Sequence, residues 1–129
     1  GWPPDIVHLH GWMTSLLPAL FKSTYKNEPI FRDSQVVYSA YNADAPNVAF
    51  KDTFRDKMIA NGLGDTVEAF FTENGLDLNA GASKFAEGTV AGTVDLVLDN
   101  LTSPVLDYEE EYSSRYFDFF EELLAIVEE

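Results

Sequence analysis

Two short apolar runs flank one amphipathic stretch within the first 41 residues, and that order restricts the fold more than any other feature. The first run, Asp5-Ile6-Val7-His8-Leu9, follows Pro3 and Pro4, which deny it an upstream helix. Leu16, Leu17, Leu20 and Phe21 then recur at helical spacing, which predicts a helix over residues 14–25 with Pro18 near its first turn. Asn27-Glu28-Pro29 breaks it, and Gln35-Val36-Val37-Tyr38-Ser39-Ala40-Tyr41 is the next strand. Strand, helix and strand in this order make a βαβ unit, for which a parallel sheet and a right-handed crossover are expected. The expected class is α/β, with the first strand buried in the sheet.

The middle of the chain reads as helical. Phe54, Met58 and Ile59 share one helix face that ends at Gly62 or Gly64. Asp65 suits the cap of a second helix carrying Val67, Phe70 and Phe71, and Asn79 that of a third carrying Ala82, Phe85 and Ala86. Residues 89–94 are a candidate third strand, 95–100 a short helix, and 104–108 a brief fourth strand. The clearest helix is the last, where Tyr112, Tyr116, Phe119 or Phe120, Leu123 and Val127 repeat at three- and four-residue steps. With 129 residues the chain suits a single domain, residues 1–129, able to bury a sizeable core.

Charge narrows the partners. A net charge of −14, with eleven acids and only Arg115 from residue 95 onward, repels nucleic acid and anionic membrane surfaces alike. The acids read as the solvated face of the last helix. No apolar run is long enough to span a bilayer, and the opening residues lack the charged and apolar regions of a signal peptide. Without cysteine there is neither a disulfide framework nor a thiolate site, and a cytoplasmic location is the simplest expectation. No motif calls for a cofactor. Gly62-Leu63-Gly64 lies between helices rather than in the strand-to-helix turn of a dinucleotide site.

The candidate chemistry sits at strand ends. His8, His10 and Trp12 alternate, so on an extended strand they share one side. Ligands of open parallel sheets gather outside the carboxyl ends of strands, where His10, Gly11 and Trp12 would lie. A neutral imidazole and an indole both suit a sugar. His8 reads first as a core histidine, whereas His10 and Trp12 stand open between packing and binding. This reading requires that the strand not be an exposed edge and that His10 and Trp12 not point into a sealed core. Two histidines at i and i+2 without a nearby carboxylate make a poor metal site. Tyr41, Asn42 and Asp44 end the second strand, where Asn42 can bond hydroxyls in both directions or simply form a turn. Lys51, Arg55 and Lys57 form a basic group that reads as a solvated helix face.

From Pro3 to Leu16, through Pro4-Asp5-Ile6-Val7-His8-Leu9-His10-Gly11-Trp12, the chain closely resembles the bacterial glycogen and starch synthases, retaining glucosyltransferases of the two-domain GT-B fold. Their strand reads Pro-Asp-(Ile/Val)-(Ile/Val)-His-x-His-Asp-Trp, and their following helix runs to Leu-x-Pro, a pattern that Thr14, Leu16, Leu17 and Pro18 keep. Ser39-Ala40-Tyr41-Asn42 stands where the family has Thr-(Val/Ile)-His-Asn. The resemblance implies a Rossmann-like three-layer domain with a short parallel sheet of about four strands, part of a GT-B N-terminal domain. It implies ADP-glucose or UDP-glucose as donor, an α-1,4-glucan as acceptor, and His10, Trp12, Tyr41 and Asn42 as candidate substrate-binding residues. Gly11 replaces the family Asp and Tyr41 the family His, so no residue is assigned a catalytic role.

The family's Lys-Thr-Gly-Gly-Leu donor loop would lie upstream and its second domain beyond Glu129. The expectation is a fragment of a larger synthase domain, inactive alone, with a sheet edge that a second copy could cover. Two alternatives stand beside it. One is a synthase-like protein that binds glucan or a partner without catalysis; the other is a complete small α/β domain whose likeness to the synthases is incidental.

Overall fold

In the computed structural model, which describes residues 2–42, 51–73, 75–96, 99–102, 104–111 and 113–128, β1 (Ile6–His10) pairs in parallel with β2 (Gln35–Ala40). Ile6 lies opposite Gln35 and His10 opposite Ser39. β1 ends because Gly11 turns at φ 81°, and a 3-10 turn, Trp12–Thr14, follows. The Thr14 hydroxyl and its N–H both donate to the Gly11 carbonyl and hold that turn tight.

The expected helix over 14–25 is shorter than its pattern: α1 spans Leu17–Lys22. Pro18 has no N–H to give the Thr14 carbonyl, so α-helix can begin only where proline falls in the first turn. At the other end the Ser23 hydroxyl bonds back to the Ala19 carbonyl and Tyr25 N–H to that of Leu20, which closes the helix.

Further along come α2 (Lys51–Met58), a π turn (Ile59–Leu63) and a 3-10 helix (Gly64–Phe70). The second expected helix is corrected here. Asp65 caps nothing, and Phe71 belongs to a two-stranded antiparallel ribbon of β3 (Phe71–Thr72) and β4 (Gly75–Leu76). Glycines at φ 101° (Gly62) and 55° (Gly64) break the helical path before it can propagate. α3 (Leu78–Phe85) is capped not by Asn79 but by Asp77, whose carboxylate accepts from Ala80 N–H at 2.9 Å. β5 (Gly88–Ala91) and β6 (Val105–Leu106) are shorter than expected. Residues 95, 96, 99 and 100 are turn or irregular, so the helix expected at 95–100 is absent from what is described there. α4 (Ser113–Glu128) is the last helix.

The four long-range strands form one parallel sheet in the order β1-β2-β5-β6. Alternation splits it into two faces. Leu9, Val36, Tyr38 and Ala40 pack against Ala82 of α3, with Leu17 and Phe21 of α1 beside them. Val37, Val90 and Leu106 on the other face meet Phe119 and Leu123 of α4. The result is a three-layer, Rossmann-like α/β arrangement. Each fully buried apolar side chain contributes about 1.5–3 kcal/mol, so the five residues joining α4 to the sheet anchor that helix firmly. A further cluster (Ala19, Leu63, Val67, Phe70, Leu78) joins α1, α3 and the 3-10 helix.

One expectation about β1 needs correcting. It stands at an edge of the sheet among the described strands, and Ile6, Val7 and His8 are only half-buried. Among the described residues, no helix is long and apolar enough to cross a membrane.

Candidate functional site

The carboxyl ends of β1 and β2 bring His8, Ser39, His10 and Tyr41 onto the face that α4 covers. His8 lies inward: its Nε2 is 2.7 Å from Ser39 Oγ, and its ring meets Tyr116 and Phe120 edge-on at 5.3 and 5.6 Å. Burial, with a smaller contribution from neighbouring His10, lowers its pKa to about 4, so it is neutral at physiological pH. It is half-buried against α4 rather than sealed in the core.

His10 lies outward. Its ring is exposed, 4.0 Å from that of His8, with Nδ1 2.9 Å from the Tyr41 hydroxyl. Tyr41 is held from three sides. Asn79 Nδ2 donates to its carbonyl at 3.1 Å, the next N–H, of Asn42, donates to Thr93 Oγ1 at 2.9 Å, and its ring lies over Gly92. A Cβ at Gly92 would fall 2.4 Å from that ring, so only glycine admits it. Asn79 is itself oriented by the Tyr38 hydroxyl, which donates to its Oδ1 at 2.8 Å. Burial, and then the charge of Asp77, raises the Tyr38 pKa and keeps that hydroxyl protonated.

Trp12 does not join the histidines. The chain leaves extended geometry at Gly11, and the indole packs with Leu16, Leu20 and Phe54 in the cluster on the α1 side. There it lines an apolar cavity of about 140 Å³ with Met13, Ser15, Leu76 and Leu78. The half-turn that Gly11 imposes carries Trp12 off the strand, and strict alternation cannot foresee that. Neither of the sealed positions that would exclude a site applies: His10 is exposed and Trp12 half-buried. The edge position of β1 among the described strands, however, fails the first condition set above, so the strand-end reading that joined His10 and Trp12 does not stand as it was argued from the sequence. The weight falls on the His10–Tyr41 pair instead.

Asn42 is exposed beside this pair, and Asp44 lies outside the described residues. Arg55 is engaged elsewhere, paired with Glu68 and lying 4.3 Å over the Phe71 ring. The side chain of Lys51 is outside the described residues. Sequence reasoning missed Asn79, Thr93 and Gly92. Only the glycine left a signal, standing directly after a strand.

A family model described as the starch synthase catalytic domain matches residues 1–93. The glycogen synthase of Pelodictyon phaeoclathratiforme is 43% identical over 42 residues, 33% of this chain and 9% of that protein. That of Chlorobium chlorochromatii is 33% identical over 78 residues, covering 56% of this chain and 16% of that protein. The Geobacillus thermodenitrificans glycogen synthase aligns over 114 residues at 24% identity, 88% of this chain and 21% of that protein. The chain thus spans about a fifth or less of the length of these relatives. No solved structure matches it significantly.

Proposed function

We propose, from the premise that this chain belongs to the starch synthase catalytic domain family, that it forms one wall of a glucosyl-transfer cleft within a larger protein. Family membership removes the reading of an incidental likeness. In the proposed reaction the parent protein transfers glucose from ADP-glucose or UDP-glucose to an α-1,4-glucan in the cytoplasm. Residues 1–129 form part of its N-terminal domain and are inactive alone.

The observation that carries this reading is the His10–Tyr41 pair at the carboxyl ends of adjacent parallel strands, where open sheets receive ligands. His10 and Asn42 offer hydrogen bonds to sugar hydroxyls in both directions, and Tyr41 adds an aromatic edge. The test incubates the parent protein with labelled ADP-glucose or UDP-glucose and glycogen. Incorporation above a heat-killed control supports transfer; incorporation equal to it overturns the enzymatic reading.

Gly11 favours a second reading, a synthase-like protein that binds glucan or a regulatory partner without catalysis. It stands where the resemblance expects an acid, at φ 81° and ψ 165°, a conformation essentially confined to glycine. This backbone cannot carry an Asp without strain. Retention of the parent on immobilised glycogen, with no incorporation, would select this second reading.

A further inference from the structure

The His10–Tyr41 contact defines more than proximity, because the two partners are not equivalent as donors. The 2.9 Å contact joins His10 Nδ1 and the Tyr41 hydroxyl, and because a phenol hydroxyl is the stronger acid and a neutral imidazole nitrogen the stronger acceptor, chemistry favours the Tyr41 O–H as donor. A neutral ring that accepts at Nδ1 carries its proton on Nε2. That Nε2 belongs to an exposed ring at the carboxyl end of the sheet.

We propose that Tyr41 is a positioning residue that holds His10 as the Nε2–H tautomer, so that its free nitrogen acts as a donor to a ligand oxygen. The role of that ligand as a sugar rests on the function proposed above; the tautomer itself does not.

Tyr41 is built to hold one orientation. Tyr38 sets the amide of Asn79, Asn79 clamps the Tyr41 carbonyl, and Thr93 fixes the following N–H. Gly92 leaves room for the ring and for nothing larger. Tyr38, Asn79 and Thr93, from β2, α3 and the segment after β5, thus fix the backbone at Tyr41, and Gly92 alone of the four meets its ring. The Tyr41 hydroxyl reaches a nitrogen on β1, the neighbouring strand. The adjacent His8 is occupied by Ser39 and faces α4, so it does not compete for the Tyr41 hydroxyl. An ordinary core tyrosine needs one partner for its hydroxyl. It does not need a backbone seat cut to its ring that aims the hydroxyl at an exposed imidazole.

The test uses long-range nitrogen–proton correlation on the histidine-labelled chain at pH 8, where the two histidines give two resolved rings. The expected result for His10 is protonated Nε2 and unprotonated Nδ1. Tyr41→Phe should convert it to a mixture of tautomers without changing the His8 pattern. Gly92→Ala, which displaces the ring without touching the hydroxyl chemistry, should do the same. A wild-type His10 protonated on Nδ1, or a pattern unaltered in both variants, overturns the proposal.

Sugar recognition is read separately in the parent protein, as the KM for ADP-glucose and for maltotriose. Tyr41→Phe should raise one of them about two- to tenfold, the worth of one hydrogen bond. A shifted tautomer with both constants unchanged leaves the positioning role standing and overturns the sugar-site reading.

Discussion

His8 shows how one residue links packing to pH. Its folded pKa of about 4 lies below the ordinary 6.5, so between these values the unfolded chain binds the extra proton. The stability contributed by the neutral ring is therefore fully present above pH 6.5 and lost as pH falls toward 4. The whole shift corresponds to about 3 kcal/mol, and screening of a partly exposed ring reduces the expected effect to about 1–2 kcal/mol. Urea unfolding at pH 7.5 and 4.5, for the wild type and His8→Gln, measures it: the variant should lose that much less on acidification. Equal losses would show that His8 is not the titrating group. Gly11 gives a second prediction at this scale. A Cβ there meets nothing within 4 Å, so any cost of Gly11→Asp is backbone strain alone, about 1–3 kcal/mol by chemical denaturation. A neutral result would show that the turn relaxes freely.

Between elements, Glu87 does what a strand residue would do. Its N–H donates to the Val36 carbonyl at 2.7 Å while its carboxylate accepts the Val36 N–H, so β2 is paired one position before β5 begins. The other carboxylate oxygen meets the Lys22 ammonium and ties α1 to the same corner. Glu87→Ala leaves the N–H of buried Val36 without its acceptor, and a loss of about 1–3 kcal/mol is expected. Lys22→Ala removes only a partly exposed ion pair and should cost less than about 1 kcal/mol. Comparing the two unfolding midpoints checks the assignment; equal losses would place the effect in the charge pair instead.

At the scale of the whole sheet, β1 stands at the edge among the described strands. The Asp5 carbonyl and Gly11 N–H both bond to β2, so the odd-numbered residues face inward along the ladder. The backbone groups of Ile6, His8 and His10 therefore face away from the sheet. β1 contains neither proline nor lysine to blunt that edge. Pairing of two copies there predicts a monomer–dimer equilibrium by sedimentation at micromolar concentrations. Ile6→Pro, which removes only an outward N–H, should abolish it. A concentration-independent monomer would overturn the dimer. The same scale carries the expectation that the isolated chain transfers no glucose, and measurable turnover by it would refute that.

The periodicity of the sequence was enough for the parallel α/β class, the βαβ start and the aromatic stripe of α4, because those depend on local spacing against a buried face. It was enough to put His10 and Tyr41 at neighbouring strand ends. It placed Trp12 wrongly, since one glycine at positive φ undoes an alternation that spacing alone supports. It named Asn79 a cap, since nothing local shows that Asp77 reaches Ala80 first and frees Asn79 for Tyr41. What the sequence determined by itself is the parallel α/β class, the βαβ start, the last helix and the family resemblance. Only tertiary structure decided which strand is the edge among those described, where Trp12 goes and that the Tyr41 hydroxyl meets His10. Those depend on contacts between residues 31 to 51 positions apart, whose geometry no local pattern encodes.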